Sequence, residues 1–79
     1  MNKNEIIKQL EKDFLENQKR FDELNDKGLA HRTESENHEL CGVSYTVCYI
    51  ARLLGEINGT SEDTEMNRLY DKFNLWRRD

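Results

Sequence analysis

A chain of 79 residues holds one domain, residues 1–79, and little more. Acids outnumber bases 16 to 12, for a net charge of −4, which opposes non-specific nucleic-acid binding and makes direct contact with DNA or RNA an unfavourable reading. Proline is absent and glycine occurs four times, too little turn chemistry for a strand-rich fold.

The mean hydropathy of −0.99 is low, yet the apolar residues recur at helical spacing, which excludes disorder and predicts an all-α domain. The first helix is predicted over residues 3–27. Asn2 and Glu5 have capping-box spacing, and Gly28 is a stop signal. Its seam is Ile7, Leu10, Phe14, Phe21 and Leu24, with Asn17 in the gap and Ile6 beside it. An Asn inside a seam can fix register by meeting a like residue. It can equally bond Ser44 or Thr46 across the hairpin, or lie at the seam edge.

The segment GLAHRT turns the chain. Thr33 and Glu36 form a second capping box, opening a helix over residues 34–57. Leu40, Val43, Val47, Ile50, Leu54 and Ile57 make an unbroken three-four seam. Two equal helices and a short connection predict an antiparallel helical hairpin. NGTSED is the second break, with Thr60 or Ser61 as the cap of a third, shorter helix over residues 61–77. Glu62, Asp63 and Glu65 suit its positive end, and Arg77 and Arg78 its negative end. Met66, Leu69, Phe73 and Trp76 form its seam, with Tyr70 beside it. The expectation is a three-helix, bundle-like arrangement.

The second helix is the most apolar stretch of the chain. Next to its seam lie the small residues Cys41, Ser44, Cys48 and Gly55, expected to receive the third helix. Behind both arcs stand Tyr45, Tyr49 and Leu53, interleaved with Arg52 and Glu56. These three either lie on the surface with their hydroxyls in water or form a partner or oligomer interface, a role that favours Tyr. With Leu75 on the outer side of the third helix, they are the candidate contact residues of a homo-oligomer, a dimer above all, and of an unidentified protein partner.

Other sites are weaker. Glu34, His38 and Cys41 have spacings that suit zinc but lack a fourth ligand, so no metal and no cofactor is predicted. His38 and Cys41 lack the orienting group and oxyanion donors of a nucleophilic pair, and glycine-rich phosphate loops are absent. The chain is read as a non-enzyme. Cys41 and Cys48 are too far apart on one helix to bridge, which suits reduced thiols in the cytoplasm. The charged N-terminus is not that of a signal peptide, and no uninterrupted apolar run reaches transmembrane length. The stretch MNRLYDKFNLW, residues 66–76, resembles the C-terminal helix of the small Hha-like gene-regulatory proteins, which are all-α and bind a nucleoid protein. The resemblance is confined to that segment, and no residue role is carried over from it.

The leading functional expectation is a small helical adaptor or inhibitor of phage or mobile-element type, working by protein–protein contact. One alternative is an oligomer that sequesters a nucleotide-like anion, with Tyr45 and Tyr49 stacking on bases and Arg52, His31 and Arg32 meeting phosphate. Another is an acidic nucleic-acid mimic built on Glu34, Glu36, Glu39, Glu62, Asp63 and Glu65. Val47→Asp tests the seam of the second helix. An unpaired carboxylate there costs several kcal/mol, comparable to the whole stability of so small a domain. Circular dichroism is expected to show lost helicity and no cooperative melting transition.

Overall fold

The computed structural model describes residues 1–76. It is all-α: α1 (Lys3–Lys27), α2 (Glu34–Asn58) and α3 (Glu62–Lys72), with a 3₁₀ turn at Leu29–His31 and no strand among the described residues. The first two helices have the predicted bounds to within a residue. Asn2 accepts the Glu5 amide proton at 2.9 Å, and Gly28 ends α1 at φ 77°, a conformation that suits glycine. The Thr33–Glu36 capping box is complete in both directions.

The hairpin is antiparallel. Arg20 grips Glu39 with two hydrogen bonds of 2.7 and 2.8 Å, and Lys27 meets Glu36 nearer the turn. Arg32 closes that end. Its guanidinium donates to the Leu24 carbonyl at 2.9 Å and to Asn37 Oδ1 at 2.7 Å, satisfying an orphan carbonyl of α1. The core joins all three helices through Phe14, Val47, Ile50, Ala51, Leu54 and Leu69. By length and composition α2 is apolar enough to cross a membrane, although no uninterrupted run within it is. The central helix of a small bundle has the same property; here Val47, Ile50 and Leu54 are buried against the neighbouring helices, and 33% of the apolar window as a whole is buried.

Two local readings change. The gap in the α1 seam is filled by Gln18, which is buried, four residues after Phe14. Asn17 is half-buried and donates to the Asp13 carbonyl of its own helix at 2.8 Å, so it meets neither Ser44 nor Thr46. The third helix stops at Lys72 and does not extend to residue 77. Asn74 adopts φ 56°, its N–H bonding the Asp71 carbonyl, and the Leu75 N–H reaches back to the Tyr70 carbonyl at 2.8 Å. This is a Schellman turn with Asn in the left-handed position. A continued helix would aim Leu75 away from the seam. The turn packs it against the core instead, so the outer-side placement of Leu75 does not hold. Trp76 leaves the helix axis, sits edge-on to Tyr70 at 5.0 Å and donates to Asp71. Arg77 and Arg78 lie outside the described residues.

The turn between α2 and α3 is tight. Gly59 is left-handed at φ 71°, and the Thr60 N–H closes on the Gly55 carbonyl at 2.8 Å. Gly55 is buried, and a β-carbon there would lie 2.9 Å from the Thr60 carbonyl oxygen. Gly55→Ala therefore sets a helix-propensity gain of about 1 kcal/mol against a backbone clash of about 1–3 kcal/mol. The obstructing atoms are backbone, so the clash wins. A lowered urea midpoint at unchanged slope is the expected result.

Candidate functional site

The most concentrated chemistry in the molecule is an ionic network buried between α1 and α3. Glu11 is 6% exposed and Glu65 2%. Arg68 bridges them, 2.8 Å to Glu11 Oε2 and 2.7 Å to Glu65 Oε1. Lys72 takes the other Glu11 oxygen at 2.6 Å, while Glu65 also accepts from Thr60 Oγ1 at 2.7 Å and Asn58 Nδ2 at 3.2 Å. Burial pushes both carboxyls up. The bonds from Lys72 and Arg68 at Glu11, and from Thr60 and Arg68 at Glu65, more than reverse it, so both are held below the ordinary carboxylate value. Burial opposes the charge of Arg68 too, and the two glutamates raise its pKa on balance. Each oxygen of both carboxylates already has a donor within the chain. Their chemistry is to hold α3 in place.

The sequence pattern did not reveal this network. Glu65 reads as a first-turn acid, and Glu11 as one charge among many on a polar helix. The available signal was the pairing of Arg68 and Lys72 four apart on the helix that must cross Glu11.

A shallow groove of about 110 Å³ opens beyond the network, between α1, α2 and α3, lined by Gln18, Phe21, Ser44, Val47, Cys48, Met66 and Tyr70. It exists because α3 is only 11 residues long against 25 for each partner. The small-residue arc of α2 is accordingly covered only in part: Gly55 is buried, Ser44 half-buried, and Cys41 and Cys48 are exposed free thiols. Burial, then the nearby Asp22, raises the Tyr70 pKa. Small-molecule sites usually occupy about 300–1,000 Å³, so the groove falls well short of one.

The outer face of α2 carries the candidate contact residues. Tyr45 is 69% exposed and Tyr49 45%, their rings stacked with centroids 6.2 Å apart and planes 10° from parallel. Leu53 is half-buried beside them, and Arg52 is exposed with Glu62 at 3.5 Å. Leu75 is remote in role, on the core. The proposed anion contacts are not brought together within one chain. His31 is exposed in the 3₁₀ turn and Arg32 is committed to Leu24 and Asn37, while Arg52 stands twenty residues further on, about 30 Å along the helix. Of the six acids considered for nucleic-acid mimicry, four meet cations of the chain itself: Glu36 with Lys27, Glu39 with Arg20, Glu62 with Arg52 and Glu65 with Arg68. Among the described residues no three of His, Cys, Asp and Glu converge as a metal set.

Comparison with protein-family models, curated proteins and solved structures found no match. The segment that resembles an Hha-like C-terminal helix is helical here only as far as Lys72.

Loss of Arg68 should expose how much the network contributes. Removing one partner of a buried ion pair costs about 3–5 kcal/mol, and the lower end applies because the Arg68 side chain is 37% exposed. Arg68→Ala is expected to lower the unfolding free energy by about 3 kcal/mol in urea titrations. The network also sets a pH dependence. Carboxylates held down in the folded chain contribute stability above their ordinary value of 4.5, and that stability is lost as pH falls through the lowered folded values. Glu36, pushed down to about 2 first by Lys27 and then by the Thr33 amide, adds to the same acid limb. Glu11→Gln should flatten the fall in melting temperature below pH 4.5.

Proposed function

We propose that the chain acts without catalysis, by protein–protein contact through the outer face of α2, as a small cytosolic adaptor or inhibitor of the type carried by phages and mobile elements. The observation that carries this reading is the Tyr45–Tyr49 stack, two large rings held against each other on the most exposed side of the central helix. Stacking fixes the rings before any partner arrives, which reduces the ordering cost of association. Tyrosine is also among the side chains that concentrate binding energy in an interface. The rest of the surface supports the reading by what it is occupied with. Several of its charged groups pair with one another, the buried carboxylates serve the fold, and the groove is small.

The mechanism is occlusion: a rigid helix pair presents two aromatic anchors to a regulator or enzyme of the host. The test compares immobilised wild type with the double variant Tyr45→Glu/Tyr49→Glu in bacterial lysate, with quantitative mass spectrometry of what each retains. Both positions are exposed, so circular dichroism of the variant should match wild type. At about 2 kcal/mol per anchor, the two together amount to about 4 kcal/mol, and the variant should lose a specific retained protein by several hundredfold, on the order of a thousandfold if the two effects add. Identical retention by both proteins would remove the tyrosine face from the mechanism.

A further inference from the structure

The outer face of α2 has an order that self-association explains. Its exposed seam is His38, Gly42, Tyr45, Tyr49, Arg52 and Glu56, advancing in steps of four and three, the spacing of a helix–helix seam. Reversing that order about position 47 exchanges His38 with Glu56, Gly42 with Arg52 and Tyr45 with Tyr49, and on the flank Cys41 with Leu53. A two-fold axis perpendicular to the helix makes the same exchange. We infer that this face pairs with a second copy of the chain, α2 antiparallel to α2, with the axis passing between Tyr45 and Tyr49.

Each layer is complementary in that register. The Glu56 carboxylate meets the imidazole of His38. Tyr45 packs on Tyr49 of the other copy and Tyr49 on its Tyr45, extending the stack already present within each chain. Arg52, the longest side chain of the seam, falls over Gly42, the shortest, with its guanidinium beside the Tyr45 ring of the second copy. Other registers lose this match. An axis at Tyr45 sets Glu34 against Glu56, and a parallel pairing sets Glu56 against Glu56.

Gly42 supplies an independent observation. It lies in the interior of α2, exposed, and a β-carbon added to it would meet nothing within 4 Å. Nothing in the single chain requires glycine there, and glycine weakens a helix interior. A close approach from outside the chain does require it. The α2 seam from His38 to Glu56 is about 27 Å long, enough for a continuous two-helix contact.

The inference rests on the reading of this face as a contact surface, and its test is separable from the capture experiment. Light scattering after size exclusion at tens of micromolar should give a dimer for wild type. In a Cys48→Ser background, Leu53→Cys should be joined to the native Cys41 of the second copy by a short bismaleimide, whereas Cys48→Ser alone should give no linked dimer. Within one chain positions 41 and 53 are about 18 Å apart, so a short linker reports only the intermolecular pair. Gly42→Gln should keep or raise the melting temperature of the helix while weakening dimerisation by about tenfold or more. Should that variant lose helicity, His38→Glu at an exposed position sets carboxylates against each other across the axis and should weaken dimerisation likewise. A monomeric wild type overturns the pairing, and a Cys41–Cys41 link in Cys48→Ser overturns the register. A monomer that still captures a protein through Tyr45 and Tyr49 would leave the proposed function standing, and a linked dimer with tyrosine-independent capture would do the reverse.

Discussion

The position of α3 depends on the bridge that Arg68 makes between Glu65 and Glu11. An 11-residue helix is marginal by itself, and α3 buries only Leu69 completely among its apolar residues. Met66, Tyr70 and Phe73 pack half-buried on the core, and the rest of its attachment is ionic. Glu65 fastens the start of α3 to the end of α2 through Thr60 and Asn58, and Arg68 and Lys72 fasten its far half to α1. Burying charges is favourable only when every oxygen is satisfied, and here each oxygen of both carboxylates has a donor. Hydrophobic burial thus defines the hairpin and seats the third helix on it, and an ionic lock ties that helix to α1 and to the end of α2.

That division explains what was legible in the sequence. The bounds of α1 and α2 follow from caps and seams that act within a few residues: Asn2 with Glu5, Thr33 with Glu36, Gly28 and Gly59. Apolar periodicity likewise identifies Phe14, Val47, Ile50, Leu54 and Leu69 as core. The ionic lock joins residues sixty-one positions apart, and each member alone has an ordinary surface role on an amphipathic helix. Asn17, half-buried, takes the seam-edge alternative and not a bond across the hairpin, for a related reason. A step of three or of four from Phe14 continues a seam equally well, and only the position of Tyr70 and Met66 across the groove favours Gln18. The end of α3 was hidden because Trp76 completes a helical period, while the signal against it was a single Asn before an apolar residue.

The shortness of α3 also divides α2 into three surfaces. One is buried against α1, one is covered by α3 over about half its length, and the third faces away from both. Tyr45 and Tyr49 belong to the third, and their exposure follows from the bundle having no fourth helix to place there. The sequence could separate that face from the core by angle alone. It could not say how far α3 would reach, so Cys41 and Cys48 read as covered when they are open.

The two glycines inside α2 make the sharpest contrast between what the single chain explains and what it does not. Both weaken the helix they occupy. At Gly55 the reason lies within the chain, where the Thr60 and Ser61 backbone passes too close for any side chain. Gly42 has no such neighbour, yet it stands on the face that carries the stacked tyrosines, one turn from Tyr45. The packing of the single chain thus accounts for the glycine at 55 and leaves the one at 42 to the proposed pairing of this face. In that pairing, the face that the bundle's own helices leave open is the one on which a missing side chain at position 42 makes room for a second helix.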